Sequence, residues 1–167
     1  MSRAKVRAAG PADAELVAVL MSEFNAILGA DSLPEALAFA PEHVNVSASQ
    51  MARRLEAMSG IETAYVAWLD SEPAGLACLR LCPNIGQDAP YAELTQLYVR
   101  ERFQRRGVGA ALVAEVERIA MAAGATAMHI ITARNNNDGP QAFYSVLGYH
   151  APCVEFEKHF VTEGAHA

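Results

Sequence analysis

Gln104-Arg105-Arg106-Gly107-Val108-Gly109-Ala110 stands between a strand-like run and a helix-like one. Glycines there let the backbone turn tightly and come close to a ligand. The first turn of the helix that follows presents N–H groups with no intrahelical acceptor, at the positive end of its dipole. A pyrophosphate suits such a place, and Arg100, Arg102, Arg105 and Arg106 make the segment locally cationic. Two common phosphate loops are excluded. No Lys-Ser/Thr pair follows the glycines as in a Walker A loop, and Leu112 stands where a GxGxxG fingerprint has its third glycine. Taken alone, the same residues also describe an arginine-rich solvated turn.

The chain around this turn is acidic. Its 167 residues carry 13 Lys and Arg against 19 Asp and Glu, a net charge of 13 − 19 = −6. Nucleic-acid affinity rests on accumulated Lys and Arg, so a nucleic-acid partner is not expected. With 52% hydrophobic residues the chain is not disordered, and its length suits a single domain spanning 1–167. Three cysteines, Cys78, Cys82 and Cys153, make no disulfide framework, which fits a reducing compartment. The residues from Met1 to Val6 lack a signal-peptide core, and no apolar run reaches a bilayer-spanning length. The expectation is a cytoplasmic protein with no membrane partner.

Periodicity predicts the elements that must hold the turn. Lys5–Arg7 reads as a strand, and a helix runs from about Pro11 to Gly29 with Leu16, Val17, Leu20, Phe24, Ile27 and Leu28 on one stripe. Residues 30–46 read as a loop. A second helix begins at Ser47, where Ser47 and Gln50 have capping-box spacing. Thr63–Leu69 and Ala74–Leu81 form an antiparallel hairpin across Asp70-Ser71-Glu72-Pro73. Ala92–Val99 is a strand, Val108–Ala123 a helix, Met128–Ala133 a strand, Pro140–Leu147 a short helix, and His150–Phe160 a last strand. This order predicts a mixed α/β domain, with the strands at 92–99 and 128–133 parallel across a right-handed crossover.

Two motifs in register then carry a resemblance. Gln104, Gly107 and Gly109 match the turn Gln/Arg-x-x-Gly-x-Gly/Ala. Asn137 precedes Tyr144 of the Phe143-Tyr144 pair by seven residues, and Gly148-Tyr149 follows. Together with Glu93–Val99 these resemble the GNAT superfamily of acyl-CoA-dependent N-acetyltransferases, most strongly over residues 91–150. The resemblance implies a three-layer fold: a mostly antiparallel sheet with one splayed parallel strand pair and helices on both faces. It implies acetyl-CoA as acyl donor, with its pyrophosphate on the amides from Arg105 to Ala110. Its pantetheine arm would pair with the backbone of Leu97, Tyr98 and Val99, and Asn137 would reach the cofactor. It also makes 30–46 the loop that walls the acceptor site.

The chemistry implied is amide formation from an amine and a thioester. An alkylammonium has no free lone pair at neutral pH and must lose a proton. Glu93, fourteen residues before Gly107, is the candidate base, directly or through water; other family members use water chains alone. The N–H of Val99 or a neighbour is the candidate oxyanion donor. Tyr144, a phenol neutral at pH 7, is the candidate acid for the leaving thiolate; its other reading is a tyrosine anchoring helix to sheet. Cys153 with His150 and His159 is set aside as a covalent route, because a strand places His150 on the opposite face and His159 far off. His43, His129, His150, His159 and His166 lack metal-ligand spacing, so no metal is expected, and His129 reads as a partly buried strand residue. The acceptor is expected to be a primary amine of a small molecule or peptide. A protein N-terminus or lysine, or a non-catalytic acyl-CoA-binding module, are the alternatives. The edge at 153–160 makes a homodimer a further expectation.

Overall fold

A computed structural model describes residues 3–31, 46–132 and 139–151, the first segment as backbone alone from 28 onward. In chain order the elements are β1 (Lys5–Ala8), a 3-10 turn at Pro11–Asp13, α1 (Ala14–Asp31), α2 (Ala48–Ala57), β2 (Glu62–Leu69), β3 (Glu72–Cys82) and β4 (Tyr91–Val99). A second 3-10 turn (Glu101–Phe103), α3 (Val108–Ala122), β5 (Met128–Ile130) and α4 (Gly139–Val146) complete them. α1 runs to Asp31, past the expected stop at Gly29 and into the start of the expected acceptor-side loop, of which residues 32–45, with Glu35, Glu42 and His43, lie outside the described residues.

Local chemistry accounts for most boundaries. Ser47 Oγ accepts from the Gln50 N–H, and Gln50 Oε1 accepts from the Ser47 N–H at 2.9 Å, so the capping box closes as its spacing predicted. Ser47→Ala is expected to cost about 1 kcal/mol, read as a lower denaturant midpoint at unchanged m-value. Asp70 and Ser71 both have positive φ, 54° and 67°, the backbone of a two-residue hairpin turn whose twist matches its strands. The turn is thus two residues long, and β3 starts at Glu72 rather than Ala74.

The sheet has the order β1-β2-β3-β4-β5, antiparallel except for the β4–β5 pair. One face packs on α1 and α2 through Val17, Leu20, Met51, Val66 and Leu76. The other packs on α3 through Leu79, Leu94, Val108, Leu112 and Val116, with Phe143 and Tyr144 of α4 against that core. This is the mixed α/β architecture that the element order predicted, in the three layers that the resemblance implied. Ile27 departs from the expected stripe: it is 46% exposed, because α1 runs past the core that buries Val17 and Leu20. β5 is shorter than expected and pairs only over Met128–Ile130. His150 and Ala151 are irregular, and the rest of the expected last strand lies outside the described residues.

Candidate active site

The turn after β4 is built as its glycines require. Gly107 caps α3 with φ of 81°, a left-handed conformation, and offers no side-chain cap. The first helical bond there runs from the Ala111 N–H to the Gly107 carbonyl, leaving Val108, Gly109 and Ala110 without intrahelical acceptors. Val108 is 1% exposed, its side chain in the core, so only its amide can serve a ligand. A Cβ on Gly109 would lie 3.3 Å from Phe143 Cζ and 3.7 Å from Val99 Cγ2. At that point the end of β4, the start of α3 and α4 meet.

The arginines are less available than their number implied. Arg100 is paired with Glu23 at 2.8 Å, Arg102 with Glu72 at 2.6 Å and Arg106 with Asp70 at 2.9 Å. Arg105 alone of the four has no carboxylate partner among the described residues, and its backbone is left-handed at φ of 58°. The hairpin turn supplies Asp70 and the first residue of β3 supplies Glu72, and these two neutralise much of the cationic segment. Sequence reading missed this, because neither carboxylate is near the turn along the chain.

β4 provides an open edge beside this cradle. Its parallel register with β5 covers Ala92, Glu93 and Leu94 and ends there among the described residues. The register with β3 shifts between Cys78 and Leu79, which leaves Thr95 as an extra residue in β4. Beyond that bulge the Arg100 N–H donates to the Ala74 carbonyl, toward β3. By alternation, Tyr98 also faces β3, whereas the N–H and C=O of Leu97 and Val99 face the open side. The Val99 carbonyl is taken by Gln104 Nε2 at 3.1 Å. Gln104 therefore closes the edge at its end, and the Val99 N–H remains directed into the opening.

Tyr144 packs edge-on to Phe143 at 5.2 Å and to Tyr149 at 5.9 Å, and its hydroxyl bonds no described residue. Burial pushes its phenol up to about 12, so it carries its proton across the neutral range. Glu93 sits at the β5-paired end of β4, 3.3 Å from Arg80, which also holds Glu62 at 2.8 Å. Thr95 Oγ1 hydrogen-bonds that same Glu62. At about 3.3 Å per residue, Glu93 lies roughly 13 Å along the strand from Leu97. Val99, Gly109 and Phe143 thus meet at one end of β4, with Gln104 on the Val99 carbonyl and Tyr144 beside Phe143, while Glu93 stands near the other end of the strand. Asn137 lies outside the described residues.

A family model described as acetyltransferase (GNAT) family matches residues 33–149, more than half of the chain. The chain belongs to the GNAT acetyltransferase family. As a member it is an acyltransferase-class enzyme, and acetyl-CoA is the donor that the family generally uses. Solved structures agree on the GNAT fold. An aminoglycoside acetyltransferase, meta-AAC0020, from an uncultured soil metagenomic sample, in complex with trehalose, superposes with a TM-score of 0.76 at 16% identity, over 95% of this chain and 97% of that one. A second soil-metagenome aminoglycoside acetyltransferase, HMB0005, gives 0.75 at 20%, over 95% and 99%. The ribosomal-protein-alanine N-acetyltransferase of Brucella melitensis biovar Abortus 2308 gives 0.72 at 13%, over 95% and 99%. At these identities the likeness is one of fold. No curated protein matches this GNAT chain.

Other expected groups sort plainly. Cys78 is buried and burial pushes its thiol up; burial does the same to half-buried Cys82. Neither is a ready thiolate nucleophile. Cys153 and His159 lie outside the described residues. His129 is exposed on β5, not partly buried, and stacks on Tyr91 at 4.8 Å; a strand of three paired residues leaves it uncovered. Among the described residues no three His, Cys, Asp or Glu side chains are grouped to hold a metal. No described helix is long and apolar enough to cross a membrane.

Proposed function

We propose that this enzyme is an N-acetyltransferase that moves the acetyl group of acetyl-CoA to a primary amine of a small molecule or peptide, by direct attack in a ternary complex. The observation that carries the reading is the junction of the open β4 edge with the uncapped start of α3. One offers strand-like pairing to an amide-bearing arm, the other unpaired amides to a pyrophosphate. Acetyl-CoA supplies the thioester whose C–S bond breaks as the new N–C bond forms. Val108 to Ala110 bind phosphate oxygens through their amides, and Arg105 adds the free cation. Leu97 and Val99 orient the arm, and an amide of this edge donates to the developing oxyanion. Tyr144 gives its proton to the leaving sulfur. Glu93, set back along β4, takes the proton of the amine through water rather than by direct contact.

The test is thiol release from acetyl-CoA across a panel containing an aminoglycoside, a linear polyamine, a peptide with N-terminal alanine and a lysine peptide. Release with at least one acceptor, in step with its acetylated mass, is expected. Tight acetyl-CoA binding with no release from any amine would make the protein a binding module. Release with the peptides alone would restrict it to protein acetylation.

A further inference from the structure

Among the described residues β4 has no parallel neighbour after Leu94, yet its far half must keep a fixed pitch if a ligand is to pair with it. Beside the β3 ladder and the Gln104 bond to the Val99 carbonyl, one side chain of α1 is placed to add to that restraint. Glu23, in α1, accepts from Arg100 Nε through Oε2 and from Arg100 Nη2 through Oε1, each at 2.8 Å. Its Oε2 also accepts from the Tyr98 hydroxyl at 3.1 Å. Arg100 Nη1 donates in turn to the Pro73 carbonyl at 3.0 Å. A single carboxylate therefore ties Tyr98 of β4 and Arg100, the residue that follows the strand, to α1, and through Arg100 to the start of β3. Phe24, one residue on, lies against the Tyr98 ring at 6.2 Å between centroids. A bidentate, partly desolvated carboxylate–guanidinium pair has both the strength and the fixed geometry for the task. Removing the anion leaves Arg100, with only 18% of its side chain exposed, as an uncompensated cation.

We propose that Glu23 is a positioning residue for the acyl donor: by clamping Arg100 and Tyr98 to α1 it holds the far half of β4 as the edge on which the pantetheine arm pairs. This rests on the acyl-CoA reading above. It separates two parts of donor recognition, since Glu23 accepts from Tyr98 and Arg100, which lie outside the phosphate cradle at 105–110.

The test compares coenzyme A with adenosine 3′,5′-diphosphate, which carries phosphates but no pantetheine arm, by calorimetry on the full chain. Glu23→Gln is expected to weaken coenzyme A about tenfold and to leave the diphosphate within about twofold. In turnover, acetyl-CoA KM should rise by a similar factor while kcat stays within about threefold. Tyr98→Phe removes one donor and keeps the ion pair, so it should shift the ratio of the two dissociation constants in the same direction by less. Equal weakening of both ligands, or no change in either, would overturn the role of Glu23. Should Glu23→Gln fail to fold, Tyr98→Phe decides alone, and an unchanged ratio sinks the proposal. A wild-type protein that binds neither ligand would instead refute the acyl-CoA reading, a distinct failure.

Discussion

Tyr144→Phe is expected to lower kcat about 100-fold while acetyl-CoA KM moves little. The phenol lies in a partly buried aromatic group with Phe143 and Tyr149, and Phe preserves that packing. What the substitution removes is one proton donor, and general acid catalysis of this kind is worth about 100- to 10,000-fold. Direction in pH follows from the raised phenol. With its proton held to about 12, Tyr144 stays competent as an acid from neutral pH up through the ordinary tyrosine range. A wild-type fall in kcat between pH 8 and 10 therefore belongs to another group, and should persist in shape in the Phe variant. Steady-state kinetics with a good acceptor decides the matter. Full kcat in Tyr144→Phe would reduce the residue to an anchor of α4.

Gly109→Val should be nearly as damaging, by a different route. The Cβ contact with Phe143 Cζ at 3.3 Å is tight but meets the far end of a side chain. Gly109→Ala asks that ring to give by a few tenths of an ångström, and acetyl-CoA KM should stay within about threefold. Valine adds two methyl groups where Val99, Phe143 and the first turn of α3 converge. Overpacking typically costs about 1–3 kcal/mol, which corresponds to roughly 5- to 150-fold in affinity if it falls on the binding geometry. An acetyl-CoA KM raised at least 30-fold in Gly109→Val, beside a near-normal Gly109→Ala, is the expected pattern. Equal behaviour of the two would show that the junction is not tight.

The order of the elements and the shape of the turn could be read from the residues because both are encoded locally. Ser47 and Gln50 close a cap within one helical turn, and Gly107 takes a backbone that few other residues tolerate. The long-range pairs were not legible. Glu23 and Arg100 are separated by 77 positions, and nothing in either neighbourhood announces the other. The same holds for Arg106 with Asp70 and Arg102 with Glu72, so a segment that looked like bare positive charge is largely compensated. Glu93 shows the same. Its residue type and spacing could be read along the chain, but its partner could not: Arg80, which pairs with it at 3.3 Å, is thirteen positions away on β3.

The three-residue pairing of β4 with β5 has a thermodynamic consequence. Among the described residues the β4 edge beyond Leu94 is unpaired, and an unpaired length of strand has fewer interactions to lose on unfolding than a paired one. An acyl-CoA seated along Leu97 to Val99 would act as the missing length of strand, present in the folded state and absent from the unfolded one. Its free energy of binding then becomes free energy of folding, by about 2.7 kcal/mol at one hundred times the dissociation constant. The donor concentration would thereby govern how long the enzyme survives as well as how fast it turns over.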